Sequence, residues 1–207
     1  MEMVQQHTAR TLMHLGVTGE SKSNELNDEQ QVDEVWLKNR MAEDRERFIR
    51  SEYPPEYLET YSKIHIGAAQ ADFWRVLVLQ KLGGVYMDID AHLVWFLGRI
   101  VKPEDQAFYV TIRGGDVSNY FFGSRPNNPD LEEMAQEIRK NIATQGVGDV
   151  WDTTGPGVFI RALKDKAVKT VSYRHSCLQG NFTNEYFQYI DKAEGKWIHA
   201  QDNQTTA

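Results

Sequence analysis

Residues 68–82 of this 207-residue chain, AAQADFWRVLVLQKL, form an unbroken run without Pro or Gly, and Gly83-Gly84 then leads straight into Val85-Tyr86-Met87-Asp88-Ile89-Asp90. Ala69, Phe73, Val76 and Leu77 recur at helical spacing, which predicts an amphipathic helix with Asp72, Arg75 and Leu79 on a neighbouring stripe. The two glycines tolerate positive φ, so the helix ends there and the chain turns back as a short apolar strand. Alternate residues of a strand point the same way, so Asp88 and Asp90 present two carboxylates to one face while Ile89 packs opposite. Converging carboxylates at a strand end suit a hard divalent cation.

Taken singly, these signals are weak. An Asp-x-Asp is most often a solvated turn, and an Asp-x-x-Arg on a helix is commonly a surface ion pair worth about 0.3–0.5 kcal/mol. Together they constrain more. A strand delivered back beside its helix brings Asp72, Arg75, Asp88 and Asp90 near one another within 23 residues of chain.

The run from Tyr53 to Val94 contains YPPEYLETY at 53–61, Ala71-Asp72-x-x-Arg75, and Gly83-Gly84-Val85-Tyr86-Met87-Asp88-Ile89-Asp90. It resembles the DXD-containing sugar-binding region of glycosyltransferase family 32. The glucosylating domains of large clostridial toxins share the Asp-x-x-Arg and Gly-Gly-x-Tyr-x-Asp-x-Asp pattern. Further matches lie at 119–129 (NYFFGSRPNNP), at Thr154-Gly155-Pro156 and at Gly195-Lys196-Trp197-Ile198-His199. The resemblance implies an α/β fold of GT-A type: one domain over residues 1–207, with a mixed, mostly parallel sheet flanked by helices. The donor nucleotide is then expected at the carboxyl ends of the strands, the usual ligand position in open α/β sheets.

By the same resemblance, Asp72 and Arg75 bind hydroxyls of the donor sugar, and Gly84, Tyr86, Asn119, Thr154 and Gly155 line the donor site. Asp88 contacts the donor and the metal, Asp90 binds Mn²⁺ or Mg²⁺ directly, and His199 supplies a third ligand or a closing residue. On residue type alone, a single His is more often a surface or packing residue, and Asn119 reads equally as a turn residue. Thr154-Gly155 reads equally as an ordinary loop-to-helix junction or as a source of backbone N–H groups for an anion. The implied partners are a nucleotide-sugar donor, UDP- or GDP-linked, and a saccharide or lipid-linked saccharide acceptor, with retention of anomeric configuration. A catalytically inactive nucleotide-sugar-binding or assembly module is the alternative, and no residue marks itself as a nucleophile.

A net charge of −7 argues against a nucleic-acid surface, which needs clustered Lys and Arg. It also repels free nucleotide sugars, so a bound cation and Arg75 are left to supply the attraction. The single Cys177 excludes an internal disulfide and a cysteine-based zinc site. The polar start MEMVQQHTART does not read as a signal peptide. Apolar runs near 76–79 and 93–97 fall far short of the roughly 20 residues a membrane span requires. The expectation is a cytoplasmic enzyme of bacterial surface-polysaccharide synthesis, with peripheral contact at the inner membrane face left open.

Elsewhere, family members begin with a strand that Thr11–Val17 replaces in divergent form or lacks, and residues 1–35 match poorly. Residues 20–34 read as a loop or mobile tract. Helices are expected over 39–50 with Met41, Phe48 and Ile49 inward, over 56–61 with Pro55 at the first turn, over 129–143 and over 158–163. Strands are expected over 107–112 and 119–124, and the aromatic segment 182–198 as a hairpin or short strands covering the site. Tyr57 and Tyr61 read as core packing, and Lys164–Lys169 as a solvated helix end.

Overall fold

The computed structural model describes residues 34–88, 91–145 and 148–179. The element order is α1 (Glu34–Glu52), α2 (Pro55–Ser62), α3 (Gly67–Leu82), β1 (Gly84–Met87), β2 (Ala91–Leu93), α4 (Leu97–Ile100), β3 (Ala107–Thr111), β4 (Val117–Ser124), α5 (Pro129–Gln145), α6 (Val150–Thr153), α7 (Pro156–Leu163), β5 (Thr170–Ser172) and β6 (Cys177–Gln179). A short 3₁₀ turn, Tyr173–His175, joins the last two strands.

The main sheet has the order β1-β4-β3-β5, and β2 pairs with β6 in a separate two-stranded ribbon. This is an α/β fold with a mixed sheet flanked by helices. The expected predominance of parallel strands is not what the described residues show. Pairs β1/β4 and β3/β4 are antiparallel and only β3/β5 is parallel. The cause is local, because β3 and β4 are joined by the tight turn at Gly114-Gly115, both with positive φ, and a tight turn permits only an antiparallel pair.

Each strand serves two cores by alternation. Tyr86, Tyr109 and Phe122 face the helices, where they join Phe73, Leu77, Leu131, Met134, Ile138 and Phe159. Val85, Phe108, Val110 and Phe121 face the other way, against Ile100, Ala91 and Cys177. The pairing of β3 with β4 slips between Tyr109↔Phe122 and Val110↔Ser118, leaving Asn119, Tyr120 and Phe121 without a partner on β3. Irregularities of this kind re-aim side chains and carbonyls, and here the re-aimed residues reach α3.

The α3 helix departs from the amphipathic expectation. Every residue from 72 to 79 is buried, Asp72 and Arg75 included, because α1, α5, α6, β1 and β4 all pack against the helix. A helix buried all round leaves its charged residues no route to bulk water, so they must pair. The other helices start and stop within a few residues of expectation. In α5, Leu131, Met134, Ile138 and Ile142 are buried and Asp130 and Glu132 occupy the first turn, where acids complement the helix dipole. Ile49 is fully buried, and Tyr57 and Tyr61 are core residues.

The basic stretch after α7 is not simply solvated. Lys166 pairs with Asp130 and Glu133, and Lys169 with Asp105. The expected segments at 11–17, 20–33 and 182–198, and the side chain of Met41, lie outside the described residues.

Gly83 governs how β1 returns along α3. Its backbone (φ 67°, ψ −169°) lies in a region essentially reserved for glycine, and an added Cβ would stand 2.7 Å from Pro126 Cδ. Gly83→Ala is therefore expected to cost about 3 kcal/mol, combining strain and overpacking. Gly67, with nothing within 4 Å of its would-be Cβ, should tolerate Ala with neutral or slightly positive effect. Urea unfolding of the two variants checks the contrast.

Candidate active site

Arg75 lies at the centre of a polar cluster made by four elements. Its Nη2 lies 3.1 Å from Asp72 Oδ1, one turn earlier on α3, and its Nη1 lies 3.2 Å from Asp88 Oδ1, just past β1. Nη1 also donates to the carbonyl of Asn119 at 2.9 Å, and Nε to that of Ala71 at 3.3 Å. The guanidinium carbon stands 4.4 Å over the ring of Tyr86, a cation–π contact inside a largely dry site. The slipped segment of β4 supplies the rest. Asn119 Nδ2 donates to Asp72 Oδ1 at 2.9 Å, and the Tyr120 carbonyl accepts from the backbone N–H of Asp88 at 2.8 Å.

Thr154, fully buried after α6, donates its hydroxyl to Asp72 Oδ2 at 3.0 Å. Asp72 thus has donors on both oxygens. Burial nonetheless pushes its carboxyl above the ordinary value, against the lowering effects of Arg75, Thr154 and Asn119, with the charge of Asp88 adding to the rise. Tyr86 donates to Asp88 Oδ1 at 2.7 Å, and Gln179 of β6 donates to Asp88 Oδ2 at 3.0 Å. Burial raises the Tyr86 phenol so far that it stays a donor at any physiological pH.

Exposure separates the roles open to these groups. The side chain of Asp88 keeps 21 % of its accessible surface, against 9 % for Asp72 and 7 % for Arg75. Asp88 is the acid at the mouth; Asp72 lies beneath it.

Of the residues singled out in the sequence, Asp72, Arg75, Tyr86, Asp88, Asn119 and Thr154 come together. Asn119 lies within β4 and is not a turn residue. Gly84 does not join them, since it pairs with Ser124 at the start of β1, four residues before Asp88. Gly155 caps α7 and spends its N–H on the Val150 carbonyl at 2.9 Å. An added Cβ would meet that carbonyl oxygen at 3.0 Å, so its small size serves the joint between α6 and α7. Asp90 and His199 lie outside the described residues. Gln179 was not foreseen, and no local pattern around CLQ marks it. The Tyr120 carbonyl was equally invisible, because backbone groups leave no trace in residue type.

A divalent cation needs hard oxygens with unused lone pairs. No group of three or more acidic, His or Cys residues able to hold a metal occurs among the described residues. The chemistry that is present fits: Asp88 offers a carboxylate at the mouth, fixed from below by Arg75 and Tyr86. Asp72 lies deeper than Asp88, and its oxygens are taken by Arg75 and Asn119 on one side and Thr154 on the other, so Asp88 is the better placed of the two to serve as a ligand.

Residues 19–107, under half of the chain, match the family described as "Glycosyltransferase sugar-binding region containing DXD motif". Over that stretch the chain is similar to the family, in keeping with the glycosyltransferase family 32 resemblance of its motifs. An uncharacterized glycosyltransferase of Acanthamoeba polyphaga mimivirus is 28 % identical over 165 residues, covering 77 % of this chain. The chain spans 62 % of the length of that relative. Among solved structures, PaToxG Glycosyltransferase aligns with a TM-score of 0.47 at 25 % identity, over 56 % of this chain and 41 % of that one.

Removing Arg75 leaves Asp72 buried beside Asp88 without its cation, a loss of about 3–5 kcal/mol. Arg75→Met is expected to show this in urea at neutral pH, and the deficit should shrink in acid. The sign follows from the raised carboxyl of Asp72. A group that binds its proton more tightly when folded destabilises the protein as pH rises from its unfolded to its folded pKa, and the effect levels off above both. Loss of Arg75 widens that window upward, so stability–pH curves of wild type and variant should converge on acidification.

Proposed function

We propose that this chain is a metal-assisted glycosyltransferase that moves a hexose from a UDP- or GDP-linked donor to a saccharide or lipid-linked saccharide acceptor. The observation that carries the reading is the placement of Asp88. Its carboxylate stands at the mouth of a buried polar cluster, anchored by Arg75 and Tyr86, with a second Asp two residues on.

Asp88 and Asp90 would hold Mn²⁺ or Mg²⁺, with His199 a further candidate ligand or closing residue. Such a cation, when bound, offsets the negative charge that builds on a departing diphosphate. This chain's own residues do the positioning. Asp72 and the Arg75 fork, set rigidly by Asn119, Thr154 and the Tyr86 ring, would fix hydroxyls of the donor sugar, and fixed geometry lowers the barrier for transfer. Gly155 shapes the joint that brings Thr154 to Asp72, and Gly84 belongs to the turn that aims β1. Against a net charge of −7, a bound cation and Arg75 would supply the attraction for a diphosphate among the described residues of the site.

The finer reading is a single-domain retaining enzyme of GT-A type in bacterial surface-polysaccharide synthesis, working at the cytoplasmic face of the membrane. No helix among the described residues is long and apolar enough to cross a membrane. The family likeness and the viral relative's name support transfer chemistry. Sugar, nucleotide and acceptor rest on the resemblance.

The test is nucleoside diphosphate release from a panel of UDP- and GDP-sugars with and without Mn²⁺. One donor should turn over in a metal-dependent manner, and Asp88→Asn should lose about 100-fold or more. Thr154→Val, which frees one oxygen of Asp72, should keep the fold and lose activity to a smaller degree, about tenfold. Metal-dependent binding of a donor without turnover would instead assign an inactive binding module; absence of both would remove the nucleotide-sugar reading.

A further inference from the structure

The ribbon β2/β6 has Asp88 and Gln179 at one end. At the other end, where the Val94 N–H donates to the Ser176 carbonyl at 2.8 Å, the chain turns through Val94-Trp95-Phe96. These three consecutive apolar residues are 36 %, 45 % and 71 % exposed. Scattered exposed apolar residues need no explanation, but a contiguous run holding two large aromatics marks a surface that meets something other than water.

The surroundings say what kind of surface it meets. The segments that build this end, residues 91–103 and 166–179, contain no Asp or Glu, in a chain that carries 30 acidic residues against 23 basic ones. The Arg99 guanidinium stacks 4.1 Å over the Trp95 ring and makes no ion pair among the described residues. A hollow of about 300 Å³ opens between Trp95, Arg99, Ile100, Ser172, His175 and Ser176, with no carboxylate in its wall. Lys169 is paired with Asp105, and Lys166 with Asp130 and Glu133. Arg99, Lys102 and Arg174 remain without a salt bridge among the described residues, with Glu104, Asp105 and Asp116 as the acids nearest to them in the chain or across the sheet. The acids of α5 lie on the opposite side of the sheet, where physiological salt, with a screening length of about 8 Å, mutes them.

We infer that this tip is a docking surface for an anionic lipid bilayer. Phe96 and Trp95 enter the interfacial layer, where aromatic side chains are favoured. Arg99, over the Trp95 ring, presents its fork to lipid phosphate beside the Ser172 and His175 side of the hollow, with Lys102 one turn on and Arg174 next to His175 in sequence. Charge complementarity selects this occupant. The tip is the cation-rich end of an acidic protein, so it is matched to a negative surface, and its apolar run is matched to one with an accessible hydrocarbon edge. The inference does not depend on the transferase reading, although a bilayer at the ribbon's far end would suit a lipid-linked acceptor.

Co-sedimentation of the full chain with vesicles of phosphatidylcholine, with and without phosphatidylglycerol, tests it. Wild type should partition onto the phosphatidylglycerol vesicles only, and salt should release it. Phe96→Ser should weaken partition about tenfold, and Arg99→Ser about fivefold. Neither should shift thermal melting, since both side chains are exposed. Asp88→Asn should partition like wild type, which separates this outcome from any failure of catalysis. Wild type remaining in the supernatant with both compositions would overturn the inference, as would undiminished partition of Phe96→Ser. So would a lowered melting temperature for Phe96→Ser without vesicle binding, the mark of a tip covered by the chain itself. Release of the protein by soluble glycerol phosphate would also overturn it, in favour of a free phosphate ligand.

Discussion

A guanidinium buried in the middle of α3 must have its charge and its donors met without water, and most of the site follows from that need. Desolvating such an ion costs several kcal/mol even after relaxation. Asp72 on the same helix offsets part of that cost but is itself buried and raises the same problem. The second carboxylate must come from another element, and so must the carbonyl. Gly83 returns β1 beside the helix so that Asp88 arrives at Nη1, while the slipped pairing of β4 turns the Asn119 carbonyl to the same nitrogen. A regular β4 would direct that carbonyl into the ladder with β3.

The cluster is a poor device for stability alone. Replacing a buried ion network by apolar residues of the same volume is often neutral or stabilising, and α3 already has Phe73, Val76, Leu77 and Leu79 to hold it in place. What apolar residues would not provide is a carboxylate with its inner oxygen, Oδ1, engaged by Arg75 and Tyr86 and its outer one, Oδ2, bonded to Gln179. Tyr86 and Arg75 both bind Oδ1 of Asp88, so the two strongest contacts fall on one oxygen. The energetic cost of burying Arg75 is thereby tied to the geometry that a ligand would meet.

This division also explains what was legible in the sequence. Asp72, Arg75, Asp88 and the Gly83 turn lie within one stretch, where helical and strand periodicity fix relative directions, and that stretch could be read without tertiary knowledge. Thr154 and Asn119 are marked by the family resemblance alone, and no spacing connects them to Asp72. The amphipathic reading of α3 failed because periodicity reports the faces a helix prefers and not the number of layers packed on it; Trp74 and Val78, on the supposed outer side, are covered as well. The balance of parallel and antiparallel strands was likewise hidden, since it depends on the turn at Gly114-Gly115, and two glycines alone do not give the direction in which the chain returns. Gly84 and Gly155 show a further limit, for a glycine demanded by backbone geometry and one demanded by a ligand look identical in a sequence.

Gln179 shows where the site is least firmly held. Its amide is bonded to Asp88 Oδ2, and it reaches that position through β6, which among the described residues pairs with β2 over three residues. A two-stranded ribbon of that length has little stability of its own; it persists because Ala91 and Cys177 are buried against the second core and Tyr120 donates to the Cys177 carbonyl. The inner oxygen of Asp88 is thus bound to the rigid α3–β1–β4 unit and the outer one to a marginal element. A neutral amide on a carboxylate contributes about 1.5–3 kcal/mol, far less than a divalent cation would gain there. The outer oxygen is therefore the one a ligand can claim without disturbing Arg75, and the rigid and yielding halves of the site divide at a single carboxylate.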